Sequence, residues 1–179
     1  MKLVQLLPVG KVEPELLSGL AAAIPRVFPV QCEVVRGGLD PAPAFHGERT
    51  QYHSSELLEL MQKFVHPGCW RLLGITPVDL YIPILTYVFG EAQMGGPCAM
   101  VSYHRLRQES YGLPADRELL HERLLKEAMH ELGHTMEMTH CNDYQCVMSP
   151  SHSVEGIDLK ANSLCLGCRG RGLNGSWLL

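Results

Sequence analysis

No uninterrupted apolar run in this sequence reaches the roughly 18 residues that a membrane-spanning helix requires. The N-terminus carries a single Lys2 and a short apolar stretch ended by Pro8, so no signal peptide is evident and a cytoplasmic location is expected. Basic runs are missing as well. The 179 residues have a formal net charge of −4, and Arg169-x-Arg171, the nearest approach to a basic patch, is only two charges. Neither a nucleic-acid partner nor a membrane partner is indicated. An even cysteine count, the mark of a disulfide framework, is also absent. Of the seven cysteines, four sit at metal-ligand spacing, which suits a reducing compartment. Cys32, Cys69 and Cys98 lie at or beside apolar runs and read as small core residues.

What is present is a chain with 46% hydrophobic content, long enough for one domain with a core and too short for two full ones. A monomer is expected. Residues 2–9 are apolar and predict a first strand. Residues 14–27 place Leu16, Leu17, Leu20, Ala21 and Ile24 at helical spacing, with Pro14 in the first turn and Pro25 set to end or kink the helix. Residues 30–36 predict a second strand closed by Gly37-Gly38. Strand, helix and strand joined by short turns form a βαβ unit, which predicts parallel pairing in an α/β fold.

Residues 39–49 show no period and read as a loop. Leu57, Leu58, Met61 and Phe64 mark a helix over 56–64, with Ser54 or Ser55 as its cap. His53 reads as a loop histidine. Residues 70–75 predict a third strand, 79–83 continue its apolar character until Pro83, 87–93 form a candidate edge strand and 98–106 the last strand. After a loop over 109–115, Asp116 is the expected N-cap of a long helix that ends near Met136 or Glu137. Residues 158–168 are weakly helical with Asp158 as candidate cap, and a Gly-rich tail ends in Trp177-Leu178-Leu179.

The long helix carries the chemistry. At about 100° per residue, Leu125, Met129, Leu132 and Met136 fall on one apolar stripe, while Arg123, Lys126, Glu127, His130 and His134 fall opposite. Residues four apart lie one above the other, so His130 and His134 can turn two imidazoles toward one metal ion. His140 cannot reach that ion if the helix continues, so the chain must turn before it. Three His ligands and an open fourth position make a catalytic zinc, and such an ion lowers the pKa of a bound water to about 7. Glu131 projects beside the pair, where it can take the water's proton during attack on a carbonyl. Cys141-x4-Cys146 and Cys165-x2-Cys168 supply four thiolates for a closed, structural zinc, with two disulfides or four inert thiols as the alternative.

The pattern His130-Glu131-x-x-His134, then His140 and Met148, resembles the metzincin zinc peptidases. The continuation Cys141, Cys146, Met148, Cys165, Cys168 resembles the archaemetzincins in particular, and Asp79-Leu80-Tyr81 and Phe89-Gly90-Glu91-Ala92 are similar to stretches found in them. The resemblance implies a twisted mixed sheet with helices packed on it and an antiparallel edge strand that pairs with an extended peptide; 87–93 is the candidate, with an edge strand that binds nothing as the alternative. It implies an N-terminal α/β subdomain, 1–140, carrying the active-site helix at about 116–137, and a small zinc-stapled subdomain, 141–179, with Met148 as an apolar floor under the metal. The expected protein is a zinc metallopeptidase with two zinc ions per chain and a peptide or protein substrate. Two departures stand out. Glu137 occupies a position where metzincins carry Gly, which predicts a strained or differently shaped turn. The Met148 to Cys165 spacing is one residue short of the family pattern, a difference a loop absorbs. Glu137 motivates a competing reading, a catalytically weak or inactive zinc-binding pseudo-protease that binds a peptide or protein partner.

Overall fold

Strand β1 (Leu3–Pro8) and strand β2 (Gln31–Val34) flank helix α1 (Pro14–Val27) and pair in parallel with Leu3 opposite Gln31, so the βαβ expectation holds. The computed structural model describes residues 2–173; the predicted tail end Trp177-Leu178-Leu179 lies outside them. Pro25 sits in the last turn of α1 and does not cut the helix short, since it continues to Val27.

The remaining elements are β3 (Phe45–His46), β4 (Gln51–His53), α2 (Ser54–Met61), β5 (Arg71–Thr76), β6 (Leu80–Tyr81), β7 (Gly90–Ala92), β8 (Cys98–Ser102), α3 (Arg117–Thr135), α4 (Val154–Leu159) and α5 (Leu166–Leu173). The main sheet has the order β2-β1-β5-β8-β7. Its first four strands are parallel and β7 runs antiparallel to β8 at the edge. This is the mixed sheet with an antiparallel edge strand that the family resemblance implied.

Alternation along the strands sorts the core into two layers. Val4, Leu6, Leu73, Ile75, Ala99 and Val101 meet α1 and α3 on one face, while Leu7, Leu72, Cys98 and Met100 meet Leu57, Leu58 and Met61 of α2 on the other. The central strands are thus buried on both sides, as parallel strands require. Each fully buried Leu or Ile of α1 and α2 contributes roughly 1.5–3 kcal/mol. Beyond α3 the chain rejoins the same core, through Val147, Met148, Val154, Ile157 and Cys168. Among the described residues no helix is long and apolar enough to cross a membrane.

Four local expectations are corrected. The stretch 39–49 is not wholly loop: β3 pairs with β4, which pairs with β6 in a second, three-stranded sheet. Neither Ser54 nor Ser55 caps α2; both hydroxyls donate instead to Glu91 on β7. Asp158 lies inside α4, which starts at Val154, and its carboxylate is taken by Arg123. Of the three cysteines read as core, only Cys98 is buried.

Candidate metal centre and active-site cleft

Helix α3 starts where Asp116 accepts a hydrogen bond from the Leu119 N–H (2.9 Å), as its cap. Leu124, Ala128, Met129 and Leu132 carry its apolar face into the core. The opposite face does not look onto solvent. Arg123 makes a bidentate pair with Asp158 (2.7 and 2.6 Å) and donates to Leu106 O (2.9 Å), while Lys160 donates to Glu127 Oε1 (3.1 Å). The C-terminal segment therefore clamps the polar side of the helix, and the cleft opens along its C-terminal half, at Glu127, His130, Glu131 and His134.

There the three histidines converge. The ring centroids of His130, His134 and His140 lie 4.6, 5.3 and 5.0 Å apart, and one nitrogen from each fits within a common 4.8 Å. His130 Nδ1 donates to Val147 O (2.8 Å) and His134 Nδ1 to Met138 O (2.7 Å). A carbonyl can only accept, so each Nδ1 carries the proton and each Nε2 keeps a lone pair. Those two Nε2 atoms face each other at 3.1 Å. Burial keeps the rings neutral, pushing His130 down to about 3 and lowering His134 and His140 as well. Two lone pairs at this distance repel unless a cation lies between them, and two ligands of a tetrahedral zinc stand about 3.3 Å apart. The donor set fits zinc.

The return of His140 depends on how α3 ends. Glu137 N–H donates to His134 O (3.0 Å) and Met138 N–H to Gly133 O (3.1 Å), the paired bonds of a Schellman motif with Glu137 at its left-handed position. Glu137 indeed has φ 63°. The turn thus keeps the shape that glycine would give and is strained by a side chain. That side chain leaves the cleft free. It packs against Gly95, 3.0–3.5 Å from where a Cβ would stand there, and is not part of the cleft lining. The occlusion that motivated the pseudo-protease reading is not observed.

Gly133 does a different job. A Cβ there would run into Met148 Sδ, so the glycine lets the fully buried Met148 close directly under the helix between the two histidines. Gly90 plays the same part on β7: a Cβ would stand 2.7 Å from Glu131 Cγ and 2.6 Å from Met100 O. Both close approaches escaped the sequence reading, although a lone glycine within a strand or helix is the signal for one.

The cleft has a volume of about 520 Å³, bounded by residues 85–92, by α3 and by Pro150 to His152. Tyr87 Oη donates to His152 O (2.8 Å), joining the two walls. Glu131 lies within it beside the rings. Burial pushes its carboxyl well above the usual range, Glu127 and Glu91 push the same way and Lys160 opposes them. A carboxylate in such surroundings is a stronger base than one in water, which suits proton transfer near neutral pH.

Next to His140 begins the second cluster. Ligand atoms of Cys141, Cys146, Cys165 and Cys168 also lie within 4.8 Å of one another, and all seven thiols of the chain are free. Cys141 Sγ and Cys165 Sγ are 3.8 Å apart, the separation of two thiolates about 2.3 Å from one tetrahedral zinc. The Cys168 N–H donates to Cys165 Sγ (3.4 Å), which draws that thiol down to about 7.

The sequence profile of peptidase family M54 matches residues 47–172, a span that contains both clusters and the edge strand. The chain belongs to this family, the archaemetzincins. It is 39% identical over 161 residues to an archaemetzincin of Methanocaldococcus jannaschii, covering 90% of this chain and 87% of that one. The fold is similar to the crystal structure of archaemetzincin from Methanopyrus kandleri, with a TM-score of 0.83, 32% identity and 97% of each chain covered. It is similar also to a zinc-dependent peptidase from Methanocorpusculum labreanum, with a TM-score of 0.85, 28% identity and 94% and 99% coverage. As an archaemetzincin the chain is a zinc-dependent metallopeptidase, and peptides are its substrate class.

Proposed function

We propose that His130, His134 and His140 hold the catalytic zinc of this archaemetzincin, that Glu131 is its general base, and that Cys141, Cys146, Cys165 and Cys168 hold a second, structural zinc. Two ions per chain follow. The observation that carries this reading is the pair of unprotonated Nε2 atoms facing each other at 3.1 Å, with both Nδ1 atoms already engaged. Bound zinc supplies Lewis acidity, which activates a water and polarises the scissile carbonyl. Glu131 accepts the water's proton and returns it to the leaving amine. Val147 O and Met138 O hold the two helix imidazoles in the tautomer that ligation needs. Strand β7, at the sheet edge, takes an extended peptide by adding it as a further strand.

In this reading residues 1–140 form the α/β subdomain and 141–179 the zinc-stapled one, with a shared core. The reading takes the protein as a monomer, and neither cluster needs a ligand from a second copy. The cleft lining includes Glu91, Glu127 and Glu131 and no Lys or Arg, which speaks against nucleic acid. Free thiols at a zinc site suit the reducing cytoplasm. Glu131→Gln tests the central role: zinc content stays at the wild-type value while peptide hydrolysis falls by about a thousandfold or more. An unchanged rate would remove Glu131 from that role.

A further inference from the structure

Glu127 stands one helical turn before His130 and Glu131, and it lines the cleft with them. Its carboxylate is bonded at Oε1 by Lys160, which arrives from the segment after α4. The pair is asymmetric toward the cleft. Glu127 is part of the lining and Lys160 is not, and the Lys160 side chain is 1% exposed. Among the described residues Lys160 is the only hydrogen-bond or ion-pair partner of the Glu127 carboxylate. Oε2 makes no hydrogen bond among the described residues and is left as an acceptor.

Part of the cleft wall is apolar, since Tyr87, Phe89 and Pro150 line it together with Glu127. An aliphatic stem can rest on such walls while its polar tip travels further. One helical turn is about 5.4 Å, a distance that a lysine or arginine side chain covers. No lysine or arginine lines the cleft to repel a basic side chain.

We infer that Glu127 is a specificity-determining residue: its carboxylate receives the basic side chain of a substrate lysine or arginine flanking the scissile bond. This rests on the cleft being the peptide site proposed above. Lys160 holds the carboxylate in place from behind, so the site enters the reaction already oriented.

The test separates binding from turnover. Three peptides of one sequence are compared, with Lys, norleucine or Glu at a position flanking the scissile bond, each flank tried in turn. Affinities are measured by calorimetry on zinc-loaded Glu131→Gln protein, where no hydrolysis interferes. At one flank the Lys peptide is expected to bind about tenfold tighter than the norleucine peptide, with the Glu peptide weakest. Adding Glu127→Gln brings the Lys to norleucine ratio near one. Because that variant leaves Lys160 buried without its partner, Glu127→Gln with Lys160→Met is measured beside it. Equal affinity for Lys and norleucine at both flanks, a ratio that survives both replacements, or no binding of any peptide would overturn the inference. If the wild-type protein cleaves none of the peptides, the hydrolytic reading fails, and the affinity ratio still decides the role of Glu127.

Discussion

The two metal-competent clusters meet at adjacent residues, His140 and Cys141, yet they are held by opposite means. Two of the three histidines ride on a helix of 19 residues capped at Asp116, packed on the core and fixed at each Nδ1 by a backbone carbonyl. Three of the four cysteines stand on irregular chain, and only Cys168 lies in a helix. Helix geometry and two carbonyls aim the imidazoles, whereas turns and irregular chain bring the thiols together. On the proposed reading a bound ion therefore adds more to the order of the cysteine segment than to that of the helix. A catalytic site has to be rigid while its metal exchanges water and substrate, whereas a structural site only has to stay closed.

The contrast predicts very different responses to ligand loss. On the proposed reading, replacing Cys146 and Cys168 by Ser removes a zinc-binding free energy on the order of 10 kcal/mol from the C-terminal segment. Hydrogen exchange is expected to lose protection over residues 141–173 while β1, β5 and β8 keep theirs. His140→Ala, by comparison, leaves exchange over the same segment close to wild type. Equal loss in the two variants would break the distinction.

A smaller effect sharpens it from the histidine side. An unfolded histidine titrates near 6.5 and folded His130 near 3, so below pH 6.5 the unfolded chain binds a proton that the buried ring refuses. The stabilising contribution is complete above pH 6.5 and is lost as the pH falls toward 3. For zinc-free protein this amounts to about 2 kcal/mol by pH 5. Denaturant midpoints at pH 7.5 and pH 5 measure it, and His130→Gln should shrink the difference. A flat profile in the wild-type protein would mean that the ring is not held neutral by its surroundings.

The smallest effect concerns the turn between the clusters. Glu137→Gly removes a side chain from a left-handed position at φ 63°, and thermal unfolding should show a gain of about 1 kcal/mol. A loss would show that the contact with Gly95 outweighs the backbone strain.

Much of this was legible in the chain itself, and the rest was hidden for physical reasons. Strands β1 and β5 and helices α1 and α3 have clear apolar patterns and are legible nearly to their ends, whereas the last strand, expected over 98–106, stops at Ser102. The spacing of His130, Glu131, His134 and His140 is local enough to define a site, because helix geometry relates the first three. The second sheet was missed because strands of two or three residues, such as β3 and β4, have no measurable period. The clamp on α3 was missed because Arg123–Asp158 and Glu127–Lys160 join residues 35 and 33 positions apart. A charged helix face reads as solvated until its partner is seen. Asp158 illustrates the cost of local reading: the same residue suits a helix cap or a long-range ion pair, and only the fold decides between them.

Anomalous scattering at the zinc edge, from crystals of the zinc-loaded protein, addresses the central claim most directly. Two peaks per chain are predicted, one at about 2.0–2.1 Å from a nitrogen of each of His130, His134 and His140 and one at about 2.3 Å from the four thiolates. A single peak, or a first peak with His140 outside bonding distance, would contradict it.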